Sequence, residues 1–298
     1  MKFIENLPTP ILNIAAALTS KIPRLIIGFR YFLWTGKFIN WTSPSNLQEY
    51  VLANVFNARK DKKQLKLYSD LADKIAVREY SKNRLGKDIT PEVYGIWTSA
   101  NDIKWDLLPE SFVIKTNNSC GTNIIVKDKS SLDKPKTTRQ LQRWLKFPYG
   151  KLTGQIHYSL IKPRIFAEQL LFNDSNPGAL PPDYKFFCFN GVPQFILYYE
   201  DRKINGHITP NQTFDTNWQP LNDLVLRPVE HSIPAPKSLD LMLRYATQLS
   251  KNLPFARIDF YEIDGKPYLG EITLTPDVIT NFKLDFLRDV ITRFALKP

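Results

Sequence analysis

Arg257-Ile-Asp259-Phe, followed by Gly270-Glu271-Ile-Thr273-Leu-Thr275-Pro276, reads as two neighbouring β-strands on a hairpin that turns at Asp264-Gly265. Each strand is expected to end in an acidic residue. Asp259 and Glu271 lie 12 residues apart and are expected to point the same way. Two carboxylates so placed grip a divalent metal between them. Arg257, two residues before the first carboxylate, adds a fixed positive charge. Metal and guanidinium together suit the triphosphate of ATP and the charge that develops as a phosphoryl group moves. A purely structural hairpin has the same spacing, so the rest of the chain decides.

Around this pair the pattern alternates between helix and strand. Residues 237–252 are predicted as a helix with Leu239, Leu243, Ala246 and Leu249 on one side, and a terminal helix is expected over about 283–296. Asp183–Phe189, the turn Asn190-Gly191 and Gln194–Tyr199 form a strong hairpin signal. Ser111–Lys115 and Asn123–Lys127 read as strands around a small-residue loop, residues 137–146 as a short helix and Arg164–Leu171 as a strand. Residues 1–105 read mostly as helices, with a start at Ser43-Pro44-Ser45 and a helix around Asp73–Tyr80 that stops near Gly86. Helices, then a hairpin and helix, then a mixed sheet indicate the α+β class.

The chain has 298 residues, enough for one large core or two to three lobes. Its 43% hydrophobic and 13% aromatic content argue against wholesale disorder. Cys120 and Cys188 are the only cysteines, which argues against a disulfide framework and fits a reducing compartment. His157, His207 and His231 are scattered without metal-ligand spacing. A net charge of +11 suggests an anionic partner, although solubility alone explains it equally well. No RNA-binding signature or helix-turn-helix pattern accompanies it, so nucleic acid is not expected.

Residues 6–20 carry no charge but contain Pro8, Pro10 and Asn13, and a bilayer span needs about 20 apolar residues. Lys21, Arg24, Arg30 and Lys37 then interleave with large apolar residues. The segment reads either as an amphipathic basic element on an anionic membrane face or as a helical pair packed on the body, and packing is preferred. A cleaved signal peptide is not expected, since Glu5 and the prolines interrupt it.

Several further pieces are ambiguous taken singly. Loop 116–122 is a plain hairpin turn or a phosphate cradle made by backbone N–H groups, Gly121 and the hydroxyls of Ser119 and Thr122. It lacks the P-loop pattern. Lys115 either snorkels to solvent or aims at the ligand of that loop. Glu168 with Leu170 is a strand end with a solvated carboxylate, or a segment that meets an adenine edge through its backbone. Asp183 and Lys185 share one face of a strand, as a surface pair or as groups for ribose and phosphate.

Taken in order, these pieces resemble the ATP-grasp superfamily. The end of the chain looks like the D-alanine–D-alanine ligase pattern Arg-x-Asp, then Glu-x-Asn-Thr-x-Pro-Gly. More closely, the chain resembles the TupA-like ATP-grasp family, named for a protein of teichuronopeptide biosynthesis. The matching stretches are Ala72–Arg78, Leu108–Lys115, Asp183–Phe186 with Asn190-Gly191, Phe214–Trp218, Arg257–Tyr261 and Gly270–Thr273, covering about residues 45 to 277.

The resemblance implies an ATP-grasp fold, two α+β lobes that hold ATP between them. Residues 1–105 would be a helical N-terminal region, 106–182 the small lobe with a flexible phosphate loop, and 183–298 the large lobe with the metal site. It implies that Lys115 binds the α/β-phosphates and that the loop with Asn117, Ser119 and Gly121 closes over them. Glu168 and the backbone at Leu170 would hold adenine, Asp183 the ribose and Lys185 the phosphates. Asp259 and Glu271 would carry Mg2+, with Thr273 where many relatives have an asparagine ligand. Arg257 would stabilise the transferring phosphoryl group or the oxyanion that follows. After Pro276 the glycines of the ligase pattern are replaced by Asp277-Val278-Ile279.

The activity so implied is a carboxylate–amine (or carboxylate–hydroxyl) ligase using ATP and Mg2+. It would act in surface-polysaccharide assembly, with an acidic glycan or sugar-linked acceptor and an amino-acid-like co-substrate. It is expected in the cytoplasm, with peripheral membrane contact through the basic N-terminus as a further option. A glycosyltransferase and a non-catalytic nucleotide- or glycan-binding protein remain as alternatives, although the Asp-x-Asp cue of the former is absent.

Overall fold

Among the described residues five helices come first: α1 (Thr9–Thr19), α2 (Pro23–Thr35), α3 (Leu47–Ala58), α4 (Lys62–Ala72) and α5 (Ala76–Leu85). Strands β1 (Val93–Trp97), β2 (Phe112–Thr116) and β3 (Asn123–Val126) precede α6 (Lys134–Lys146), α7 (Tyr149–Thr153) and β4 (Ile165–Gln169). Then come β5 (Asp183–Phe189), β6 (Val192–Tyr199), β7 (Asn211–Phe214), α8 (Leu239–Ser250), β8 (Phe255–Ile263), β9 (Lys266–Thr273) and α9 (Leu284–Arg293). This computed structural model describes residues 8–173, 179–200, 211–221, 224–226, 231–278 and 281–294. His207, Ile279 and the last residues of the expected terminal helix lie outside them. The α+β expectation holds, with all strand pairs antiparallel.

The chain divides into two compact units built from interleaved segments, not into three consecutive stretches. The first comprises residues 1–39, 55–76 and 91–170, the second 40–54, 77–90 and 171–298. Val93–Trp97, inside the stretch expected to be mostly helical, is an edge strand of the first unit's sheet.

In the first unit the sheet order is β1-β4-β2-β3. Strand alternation sends Phe112, Ile114, Ile165 and Ala167 into a core with Leu141, Trp144 and Leu145 of α6. Helix α6 starts where the Asp133 carboxylate accepts from the N–H of Lys136 at 2.9 Å. The opposite face of the sheet carries Lys115 and Glu168. Helices α1 and α2 pack through Leu12 and Ile27 onto α7 and the turn at Gly154.

His157, just past α7, is only 1% exposed, and its Nδ1 has no hydrogen-bond partner among the described residues. Burial drives its pKa from 6.5 down to about 3, so the folded protein keeps it neutral where the unfolded chain takes a proton. Its contribution to stability is therefore complete above about pH 6.5 and is lost as the pH falls toward 3, at about 1.4 kcal/mol per unit. Replacing His157 with phenylalanine is expected to flatten this part of the pH–stability curve. Urea unfolding at pH 6.5, 5.5 and 4.5 checks it, and parallel curves for the two proteins would contradict it.

In the second unit the order is β7-β6-β5-β8-β9. One face of this sheet packs against α8. The buried residues of that helix are Met242, Tyr245, Ala246, Leu249 and Ser250, so Ala246 and Leu249 of the expected stripe are buried while Leu239 and Leu243 lie at its edge. Part of the other face joins α3 and α9 around Phe187, Phe195, Phe255 and Phe282. Helix α3 begins at Leu47, slightly beyond the expected Ser43-Pro44-Ser45. There the Asn46 side chain accepts from Glu49 N–H (3.1 Å) and the Glu49 carboxylate accepts from Ser45 N–H (2.7 Å), a reciprocal cap. Among the described residues no single helix is long and apolar enough to cross a membrane; α1 and α2 pass that test only together and are bent by 99°.

Candidate active site

The second unit holds the opening carboxylates on its sheet. Asp264 and Gly265 turn the β8–β9 hairpin with φ of 51° and 70°. Counting back from that turn, Phe260 faces Leu269, and a regular ladder would set Asp259 opposite Gly270. A bulge between Asp259 and Phe260 shifts the register by one, so Asp259 faces Glu271 directly. Leu269 and Glu271, two apart, thus point to opposite faces, one into the core and one into the site. The acids are not strand ends, as expected from sequence: both sit inside longer strands.

Around Asp259, strand alternation gathers Asp183 and Lys185 from β5, Arg257 from β8 and Thr273 from β9. Arg257 grips Asp259 with two parallel bonds, Nε to Oδ1 and Nη2 to Oδ2, both 2.7 Å. Its Nη2 also reaches Glu271 Oε1 at 2.9 Å and Thr273 Oγ1 at 3.1 Å. Lys185 Nζ donates to Asp259 Oδ2 at 2.8 Å and lies 3.2 Å from Asp183 Oδ2. Asp259 is 1% exposed, whereas the Glu271 side chain is 40% exposed. Burial pushes the Asp259 carboxyl up, against the pull of Arg257 and Lys185. Burial opposes the charge of Arg257, yet Asp259 and Glu271 outweigh it and raise the guanidinium's pKa. Asp183 and Lys185 are a buried pair rather than a surface one.

Three carboxylates and two cations leave this cluster one negative charge in excess. Its oxygen donors, two opposed carboxylates and a hydroxyl, are those a hard divalent cation takes. Among the described residues no three His, Cys, Asp or Glu groups converge to hold a metal. A cation here would thus have one or two carboxylates, with phosphate and water supplying the rest, which is the usual environment of Mg2+. The Thr273 hydroxyl donates to Glu271 Oε1 at 2.8 Å and so orients the glutamate.

The segment past Pro276, where the ligase pattern has glycines, turns into the core instead. Val278 is fully buried there. Gln48, which nothing in the sequence singled out, clamps this segment by donating to the Pro276 carbonyl (3.3 Å) and accepting from Val278 N–H (3.0 Å). Tyr199 donates to Asn281, and its ring lies 5.6 Å from Lys185 Nζ.

The first unit holds a second set. Lys115 and Glu168 lie diagonally on β2 and β4 and form an ion pair at 2.5 Å, with side chains only 16% and 9% exposed. Glu168 is not the solvated strand end that its segment suggested. Leu170 is buried just beyond it. In the loop, Asn117 and Ser119 are turned inward. The Ser119, Thr116 and Thr122 hydroxyls bond one another, which leaves Cys120 and Gly121 (φ 75°) at an exposed tip. A phosphate would therefore meet backbone N–H groups here, not the Ser119 hydroxyl. Asn117 Nδ2 donates to Asp73 Oδ1 (2.8 Å) and to the Lys162 carbonyl (3.1 Å), and its Oδ1 accepts from Arg164 N–H (2.7 Å). Asp73 also caps α5 by accepting from Ile75 N–H at 2.8 Å. The stretch Ala72–Arg78 thus anchors the loop, a role its sequence did not reveal. Asn117→Ala leaves these buried partners unmatched. It is expected to destabilise the protein by about 1–3 kcal/mol and to speed amide exchange across residues 117–122. Unchanged exchange would refute this anchoring.

Burial pushes the Cys188 thiol up to about 12, so it is no thiolate nucleophile.

The TupA-like ATPgrasp family matches the chain over residues 54–289. None of the curated proteins matches it. Among solved structures it is similar to D-alanine–D-alanine ligase from Bacillus anthracis in complex with ATP, at 17% identity and a TM-score of 0.45, covering 74% of this chain and 61% of that one. The Helicobacter pylori D-alanine–D-alanine ligase gives 13% identity and a TM-score of 0.44, with 76% and 61% covered. A RimK domain ATP-grasp protein from Sphaerobacter thermophilus DSM 20745 gives 11% identity and a TM-score of 0.40, with 70% and 60% covered. The chain thus spans about three fifths of the length of these structures.

Proposed function

We propose, since this chain belongs to the TupA-like ATP-grasp family, that it is an ATP-dependent carboxylate–amine ligase acting through an acyl phosphate. The observation that carries this reading is the second-unit cluster, where Arg257 and Lys185 converge on Asp259 beside the more exposed Glu271. It combines fixed cations for phosphate oxygens with an excess negative charge for a divalent ion.

Asp259 and Glu271 would hold Mg2+, which when bound neutralises phosphate oxygens and favours transfer of the γ-phosphoryl group. Thr273 fixes the Glu271 carboxylate for that task. Lys185 binds phosphate oxygens, with Asp183 and Asp259 fixing its ammonium, and Asp183 is also the group assigned to ribose. In the first unit Lys115 binds the α/β-phosphates and Glu168 holds it in position. The segment at Leu170 receives adenine, and the loop 117–121 offers backbone N–H groups to phosphate. A substrate carboxylate oxygen attacks the γ-phosphorus and ADP departs. An amine then attacks the acyl carbon, loses its proton and expels phosphate. Arg257, held rigid by its two bonds to Asp259, stabilises the negative charge of these steps.

The excess of basic residues suits an acidic glycan acceptor, and with it goes a proposed role in surface-polysaccharide assembly in the cytoplasm. The test is a screen of amino acids against uronic-acid glycans, with ADP and phosphate release measured beside product mass. An amide product formed with stoichiometric ADP supports the reading. Turnover of a nucleotide sugar without ATP consumption would replace it with glycosyl transfer.

A further inference from the structure

Helices α1 and α2 have two apolar faces, and among the described residues only one is covered. Leu12 and Ala16 on α1 and Ile27 and Tyr31 on α2 are buried in the first unit. Arg30 donates to the Thr153 carbonyl at 3.3 Å. Gly154 comes so near α2 that a Cβ would stand 2.7 Å from Ile27 and 3.0 Å from the Pro23 carbonyl. The pair is therefore docked on the body, as the preferred reading of the sequence expected.

The other face remains open. At 100° per residue, Leu25, Phe29 and Leu33 fall on the side of α2 away from Ile27, and they are 65%, 58% and 64% exposed. Ile14 and Leu18 do the same on α1, at 64% and 62%. Ten of the sixteen exposed large hydrophobic residues among those described lie between residues 11 and 38, so exposed apolar surface is concentrated on this helix pair and its flanks. On α2 the apolar stripe is flanked by Arg24 on one side and Arg30 on the other. Lys21 sits in the turn between the helices and Lys37 just beyond α2, next to the exposed Trp34. Between Glu5 and Glu49 the sequence has no acidic residue at all.

From this geometry we infer that the outer face of α1 and α2 docks on an anionic lipid surface, with the helices lying in the interface and not crossing it. Charge complementarity selects this occupant. A second copy meeting this face through two-fold symmetry would bring its cations against their own counterparts with no carboxylate in the segment to answer them. A bilayer of anionic headgroups answers Lys21 and Lys37 and accepts the leucines and phenylalanines of the outer stripe below them. The inference does not depend on the proposed reaction.

The test is cosedimentation of the full chain with phosphatidylcholine vesicles, with and without phosphatidylglycerol. The wild-type protein is expected to bind the mixed vesicles and to be released by salt. Lys21→Ala/Lys37→Ala is expected to weaken binding on the order of five-fold for each charge removed. Phe29→Ser/Leu33→Ser is expected to abolish binding with an unchanged thermal unfolding midpoint, since both side chains are exposed. Failure of the wild type to bind either vesicle would overturn the inference, as would full binding by the Phe29/Leu33 variant. A dimer that this variant dissociates would instead assign the face to a second copy.

Discussion

Replacing Arg257 with alanine is expected to destabilise the protein by about 3–5 kcal/mol, the range for removing one partner of a buried ion pair. The reason is Asp259, which is 1% exposed and takes both bonds of the guanidinium fork at 2.7 Å. Lys185 alone would remain against it. Burial already pushes the Asp259 carboxyl upward, and without Arg257 it shifts further, so part of the penalty appears as proton uptake by this carboxyl. Arg257→Lys restores the charge but not the planar fork, and should recover part of the stability without the activity. Urea unfolding of the three proteins decides this. A loss below about 1 kcal/mol in the alanine variant would place the pair among exposed ion pairs and refute the account of a rigid, preorganised guanidinium.

Glu271→Gln should do the opposite, leaving the fold intact and removing turnover. The side chain is 40% exposed, and an amide oxygen can still accept from Arg257 Nη2 and Thr273 Oγ1 as the carboxylate does at 2.9 and 2.8 Å. Stability is expected to stay within about 0.5 kcal/mol. The substitution cancels the one negative charge by which the carboxylates exceed the cations, and with it the attraction for a divalent ion. Product formation should fall by about 10²-fold or more, the scale of losing one preorganised electrostatic group. Full turnover in this variant would show that the metal is held elsewhere.

These contrasting outcomes at two residues of one cluster arise from packing that spacing alone does not report. The hairpin itself was legible, because Asp264-Gly265 and Asn190-Gly191 accept positive φ and the flanking runs are apolar. The pairing of Asp259 with Glu271 was expected from their spacing, but the bulge that makes it possible was not, since a two-residue turn alone would have set Asp259 against Gly270. Burial was equally hidden. Glu168 looked like a solvated strand end, yet its position diagonal to Lys115 depends on how β2 and β4 pair. Asn117 and Ser119 read as loop groups open to a ligand; Asn117 instead anchors the loop's base through Asp73 and Lys162, more than forty positions away, and the Ser119 hydroxyl bonds Thr116 and Thr122. Gln48, 228 residues before Pro276, is invisible to any local reading. Long-range polar contacts of this kind follow from topology, which local periodicity does not encode.

The central claim is that the Asp259–Glu271 cluster handles ATP through a divalent cation. Titration calorimetry of ATP into the wild-type and Glu271→Gln proteins, with and without magnesium, tests it most directly. The account predicts ATP binding that requires magnesium in the wild type and is weakened in the variant, with both proteins equally folded. Equal ATP affinity in all four titrations, or no ATP binding in any, would contradict it.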